Sequence, residues 1–204
     1  MDERVRARTV AVNDAGRRSG PAVVENARRW LWIALVATAS IVSSLALACA
    51  MPYAALATLA AVKMGRRDAV ALVGVAWLAS QVLGYGVLGY PRTFDSYAWG
   101  AGLGIASLVA LAGAQFVSAS LRRMPVAVGI TMAFLGAFVV YEAALLGISF
   151  LLATDAEAFS ARIVLWIFEV NAAAAVGLLA LNRLGVRVGL VTSHAAAPTV
   201  ATAG

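Results

Sequence analysis

The 204 residues are 62% hydrophobic and 13% charged, with a mean hydropathy of +0.87, whereas a soluble domain is roughly half apolar and a quarter charged. That balance excludes an ordinary water-soluble globule, and lipid then leaves only helices or a closed barrel. Barrel strands read as short alternating segments, whereas long runs rich in Ala, Leu and Gly recur here, so the expected fold is an all-α, polytopic membrane bundle. The formal charge of +6 sits in short basic clusters beside apolar runs, a pattern of membrane topology and not of a nucleic-acid surface. Cys49 is the single cysteine and His194 the single histidine, which excludes an internal disulfide and a Cys/His zinc site.

Residues 1–29 carry seven arginines and neither an apolar stretch nor a small-residue cleavage site, so they are expected to persist as a basic, disordered cytoplasmic tail. The transmembrane domain is assigned to 30–187 and a low-complexity tail to 188–204. Apolar runs extend over Trp30 to Ala50, Ala69 to Tyr90, Ala98 to Leu121, Pro125 to Leu152 and Ile163 to Leu181, with a shorter one, Tyr53 to Val62, behind Pro52. Lys63, Arg66 and Arg67, then Arg122 and Arg123, then Arg183 and Arg187 mark the cytoplasmic side. The loops with Asp95 and with Asp155 and Glu157 fall outside. If the N-terminal tail is also cytoplasmic, every basic residue but Arg92 and Arg162 lies inside.

That arrangement requires an even number of crossings between Trp30 and Val62. As helix these residues reach about 50 Å, against about 60 Å for two full crossings. The expectation is therefore six segments with both termini cytoplasmic, the second segment being short or re-entrant and turning near Met51 and Pro52. A tilted hairpin at the outer surface is the competing reading. Pro125 suits the first turn of the run that follows Arg122 and Arg123.

Glu142 and Glu169 are the only acids inside the predicted spans. A charge at the bilayer centre costs about 2.5 to 3.5 kcal/mol on the lenient scale, so such residues usually face a bundle interior or water and carry function. Counted from the outer ends of their runs, Glu142, Gln81, Asn171 and Glu169 lie about 15, 14, 12 and 9 Å deep. Aromatic rings accompany them at helical spacing: Trp77, Gln81 and Tyr85 recur every fourth residue, Phe138 precedes Glu142 by four, and Trp166 precedes Glu169 by three. Asn171 points to another side of its helix. Acids beside aromatic faces suit a cationic or nitrogen-rich ring through charge pairing and cation–π contact. Alternatively the glutamates are protonated or reach Arg92 or Arg162 and hold helices together. The outer loop GYPRTFDSYAWG is an interfacial aromatic anchor, or a lid in which Arg92 and Asp95 close the pocket.

No Walker A motif, no HExxH and no histidine within a span are present, and nothing places a nucleophile or metal beside the two glutamates, so no enzyme and no cofactor is expected. Six helical segments, basic cytoplasmic loops and an outward-facing polar pocket resemble the substrate-binding S components of energy-coupling-factor transporters. The resemblance implies a solute-binding component whose partner is a separate transmembrane coupling subunit driven by ATPases, touched through small residues of the first helix. Ala34, Thr38 and Val42 have the matching spacing. The branch that binds cobalt or nickel through an N-terminal histidine does not fit. The sequence thus predicts a small transport component of the bacterial inner membrane, binding a cationic or vitamin-like solute through Glu142, Glu169, Gln81, Trp77, Tyr85, Trp166 and Asn171. The alternative is a non-catalytic structural or assembly subunit of a larger membrane complex.

Overall fold

A computed structural model describes residues 26–38, 51–153 and 159–187, and every regular element among them is helical. Both tails outside these residues, the segment 39–50 at the end of the first run, and the loop with Asp155 and Glu157 lie outside the described residues. The helices are α1 (26–38), α2 (Tyr53–Lys63), α3 (Arg66–Gly86), α4 (Phe94–Ser120), α5 (Val126–Leu151) and α6 (Ala161–Arg187). The last four are long and apolar enough to cross a membrane. The chain is thus a helical membrane protein.

Helix α2 organises the rest. Its 11 residues rise about 16 Å, roughly half of a hydrocarbon layer. Every residue from Tyr53 to Ala60 is buried, because α3, α4, α5 and α6 all pack against it. A helix covered on all sides has no polar face to offer, and YAALATLAAV shows none. Its alanines let the surrounding backbones approach closely. Thr58 satisfies its hydroxyl internally by donating to the carbonyl of Ala54 at 2.7 Å.

Glycines determine how α4 sits between its neighbours. Gly100 and Gly104 lie under α3: a β-carbon on Gly104 would meet the Trp77 ring at 2.8 Å, and one on Gly100 would collide with the Gln81 carboxamide. Gly102, two residues away and so on the other side of the helix, lies against Ile148 of α5. The α4–α5 seam continues where Gly113 receives Val140 and Gly136 receives Val117.

The helices overrun the apolar segments at their ends. Helix α3 begins at Arg66 instead of Ala69, and α4 begins at Phe94 instead of Ala98, because a hydrogen-bonded ladder does not stop where polarity rises. Thr93 caps α4 by accepting from the Ser96 amide at 3.4 Å. The connection between α3 and α4 is therefore 87–93, and Asp95, Tyr97 and Trp99 are helical. Gly89, at φ +67°, makes the turn that folds the Tyr90 ring back over Gly84. At the opposite end Arg29 pairs with Asp68 at 2.8 Å, tying the start of α1 to the start of α3.

Candidate functional site

The N-terminus of α2 lies inside the bundle, and polar side chains from three other helices gather around it. Asn171 of α6 is fully buried. Its Oδ1 accepts from the amides of Ala54 and Ala55 at 3.1 and 3.3 Å, and its Nδ2 donates to the Ile167 carbonyl at 3.0 Å. The first amides of a helix have no intrahelical acceptor, and in lipid each unsatisfied group costs several kcal/mol. A short helix starting at depth therefore requires a side-chain acceptor, and Asn171 supplies it from another helix; Pro52, the capping residue, supplies none.

Tyr53, the first residue of α2, extends this level to α3 and α5. Ser80 donates to the Trp77 carbonyl at 2.6 Å. With its one proton used there, Ser80 Oγ accepts from the Tyr53 hydroxyl at 2.8 Å and from Gln81 Nε2 at 3.1 Å. The Tyr53 ring packs on Tyr141 of α5 at 5.9 Å. Glu142 follows Tyr141 directly, so it stands at the same level. Its Oε1 is buried and has no hydrogen-bond partner among the described residues. Phe138, one turn earlier, belongs to an aromatic cluster with Phe134 and Phe168.

Gln81, Glu142 and Asn171 therefore converge in height around the start of α2, each from a different helix. Their side chains do different work. Trp77, Gln81 and Tyr85 are seated on the glycine face of α4: Trp77 Nε1 donates to the Gly100 carbonyl at 2.8 Å, and the Tyr85 hydroxyl bonds Ser96 at 3.0 Å. Tyr85 also stacks near Tyr97 and Tyr90, at 4.9 and 6.0 Å. Since α4 places Gly100 and Gly104 toward α3 and Gly102 toward α5, it stands between that stripe and the α5 face that carries Ile148.

Glu169 is exposed, and Trp166 on the same face is 42% exposed. Arg162 shares this face, yet no ion pair joins it to Glu169 among the described residues. Arg92, in the connection before α4, and Asp95, in its first turn, are exposed, likewise without an ion pair among the described residues.

Tyr53, Ser80 and Tyr141 were not singled out by the sequence reading, although they link the polar level together. Their signal was weak because hydroxyls are common in apolar helices; a polar residue at the start of a half-length segment was the available clue. No family model matches the chain, and no curated protein or solved structure matches it.

Proposed function

We propose that the chain is a small, non-catalytic solute-binding component of a membrane transport system. It takes a cationic or vitamin-like organic solute at the polar level around the start of α2. In this reading the chain sits in a bacterial inner membrane with six segments and both termini cytoplasmic, and α2 is a re-entrant element. The observation that supports this reading is Glu142, whose buried carboxyl oxygen lacks a partner among the described residues, next to Tyr141 at the level where α2 begins. Transport proteins build midplane sites from such interrupted helices, and an acceptor left open in a low-dielectric setting favours a ligand that brings a donor or a cation. Tyr53 and Tyr141 supply the neighbouring rings.

Coupling to a separate membrane subunit driven by ATPases accords with α1, where Ala34 and Thr38 lie on the exposed face; Val42 lies outside the described residues. The test is equilibrium binding of protonated heteroaromatic amines and quaternary ammonium compounds to the purified chain. Glu142→Gln should lower affinity by about tenfold or more while helicity and elution are retained. Equal binding by wild type and Glu142→Gln would sink the assignment.

A second reading, a structural subunit of a larger complex, draws on Glu169 and Trp166, which present an acid and a ring on the outer face of α6. An acid facing hydrocarbon is costly, and a neighbouring subunit with a donor would relieve it. Glu169→Leu would then release a partner in mild detergent, while Glu142→Gln would leave it bound.

A further inference from the structure

At the basic end of the bundle, a cavity of about 750 Å³ opens between the last turn of α2, the start of α3 and the last turns of α4. Arg66 enters its lining from α3, and Arg122 from the turn after α4; Gln115 and Ser118 line it from α4, with Met64 and Phe116 as apolar walls. This site is remote from Glu142, which stands 16 residues into α5, about 24 Å along the helix from the same end.

Three features independent of one another give the cavity a chemistry. First, Arg66 and Arg122 come from different elements and form no ion pair among the described residues, while the nearby Asp68 is engaged by Arg29. Second, the Ser118 hydroxyl is buried without a hydrogen-bond partner among the described residues. Other helical serines behave differently: Ser107, Ser120 and Ser149 donate to carbonyls of their own helices at 2.8, 3.0 and 2.8 Å. Third, Gly65 precedes α3 and gives its first amides no side-chain cap, so helix-start donors lie beside Arg66, while Asp68 of the same first turn is paired with Arg29.

We infer that this cavity binds the phosphate of an anionic membrane phospholipid. Arg66 and Arg122 hold the phosphate oxygens, Gln115 and Ser118 donate hydrogen bonds to them, and Phe116, which is 73% exposed, leads the acyl chains along α4 toward the hydrocarbon. Gln115 and Ser118 precede the last residue of α4 by five and two positions, about 8 and 3 Å, so both stand near the helix end, where a headgroup would sit. The volume lies within the range of small-ligand sites, about 300 to 1,000 Å³, and exceeds what a bare phosphate ion fills. Basic pockets between membrane helices suit such headgroups.

The test is titration of the lipid-depleted, purified full chain with phosphatidylglycerol, read by native mass spectrometry. A diacylglycerol with the same tails and inorganic phosphate serve as the comparison probes. Arg66→Gln with Arg122→Gln should weaken phosphatidylglycerol binding about thirtyfold. Arg67→Gln with Arg123→Gln, which removes the same charge from the same end outside the cavity, should change it less than about twofold. Ser118→Ala, the mildest change, should cost about fivefold and keeps the site testable if the double arginine variant does not fold. Equal losses from the two arginine pairs would reduce the effect to diffuse attraction and overturn the site. Binding of diacylglycerol as tight as phosphatidylglycerol would remove the phosphate from the proposal, and saturation by inorganic phosphate alone would overturn the lipid as its source.

Discussion

Two stripes of the molecule look alike in sequence and end in opposite places. Trp77, Gln81 and Tyr85 on α3, and Trp166 with Glu169 on α6, each combine aromatic and polar side chains at helical spacing. The α3 stripe is folded onto the glycines of α4, where Trp77 and Tyr85 make hydrogen bonds. The α6 stripe faces outward, and α6 instead buries Asn171, Ala175, Leu178, Asn182 and Gly185 against the bundle. Periodicity establishes that side chains share a face. Which face turns inward depends on the surface available opposite: small residues accept a large ring, whereas α2 offers α6 two uncapped amides that an asparagine can satisfy.

The largest expected effect separates the two faces of α6. Asn171→Leu leaves the Ala54 and Ala55 amides without their acceptor and should destabilise the fold by about 2 to 4 kcal/mol, measured by reversible unfolding in mixed micelles. Glu169→Leu should change stability by less than about 0.5 kcal/mol. Similar losses from both would dissolve the contrast between the faces.

Glycine substitutions probe the same contrast from the partner side. Gly104→Val drives side-chain atoms into the Trp77 ring and should cost about 1 to 3 kcal/mol. Gly177→Ala on α6, where nothing lies within 4 Å of the added carbon, should be neutral or stabilise by up to about 1 kcal/mol through helix propensity. A tolerant Gly104 would mean that the α3–α4 seam is loose, and unfolding midpoints of the two variants decide it.

The finest comparison is between the tryptophans. Trp77→Phe removes the donor to the Gly100 carbonyl and should cost about 1 kcal/mol, within the range for hydrogen bonds inside membrane proteins. Trp166→Phe should stay within about 0.5 kcal/mol of wild type in the isolated chain. A loss at Trp166 that appears only in native membranes would point to a neighbour seated on α6.

Much of the architecture was legible along the chain. The run from Pro125 to Leu152 is α5, Val126–Leu151, almost to the residue, because proline, paired arginines and uninterrupted apolarity all mark the same limits. The short run behind Pro52 is the 11-residue α2, and the length arithmetic anticipated a short second segment. The helical rise also converts position into depth, and of Gln81, Glu142, Asn171 and Glu169, which it puts in one slab, Asn171 reaches the start of α2 directly and Gln81 through Ser80. Roles were not legible. Asn171 resembled a ligand-binding amide and caps α2, and the ring of Trp77 resembled a pocket wall and fills the glycine face of α4.

Composition and span length by themselves determined that this is a helical membrane protein with a half-length second segment, because the thickness of lipid and the rise of a helix are fixed quantities. Only the tertiary structure decided that the half-length helix stands at the centre, that its uncapped first amides recruit Asn171, and that Glu142 retains a buried oxygen without a partner among the described residues. Those outcomes depend on which surfaces meet across the bundle, and a one-dimensional pattern orders side chains around a helix without specifying what will stand opposite.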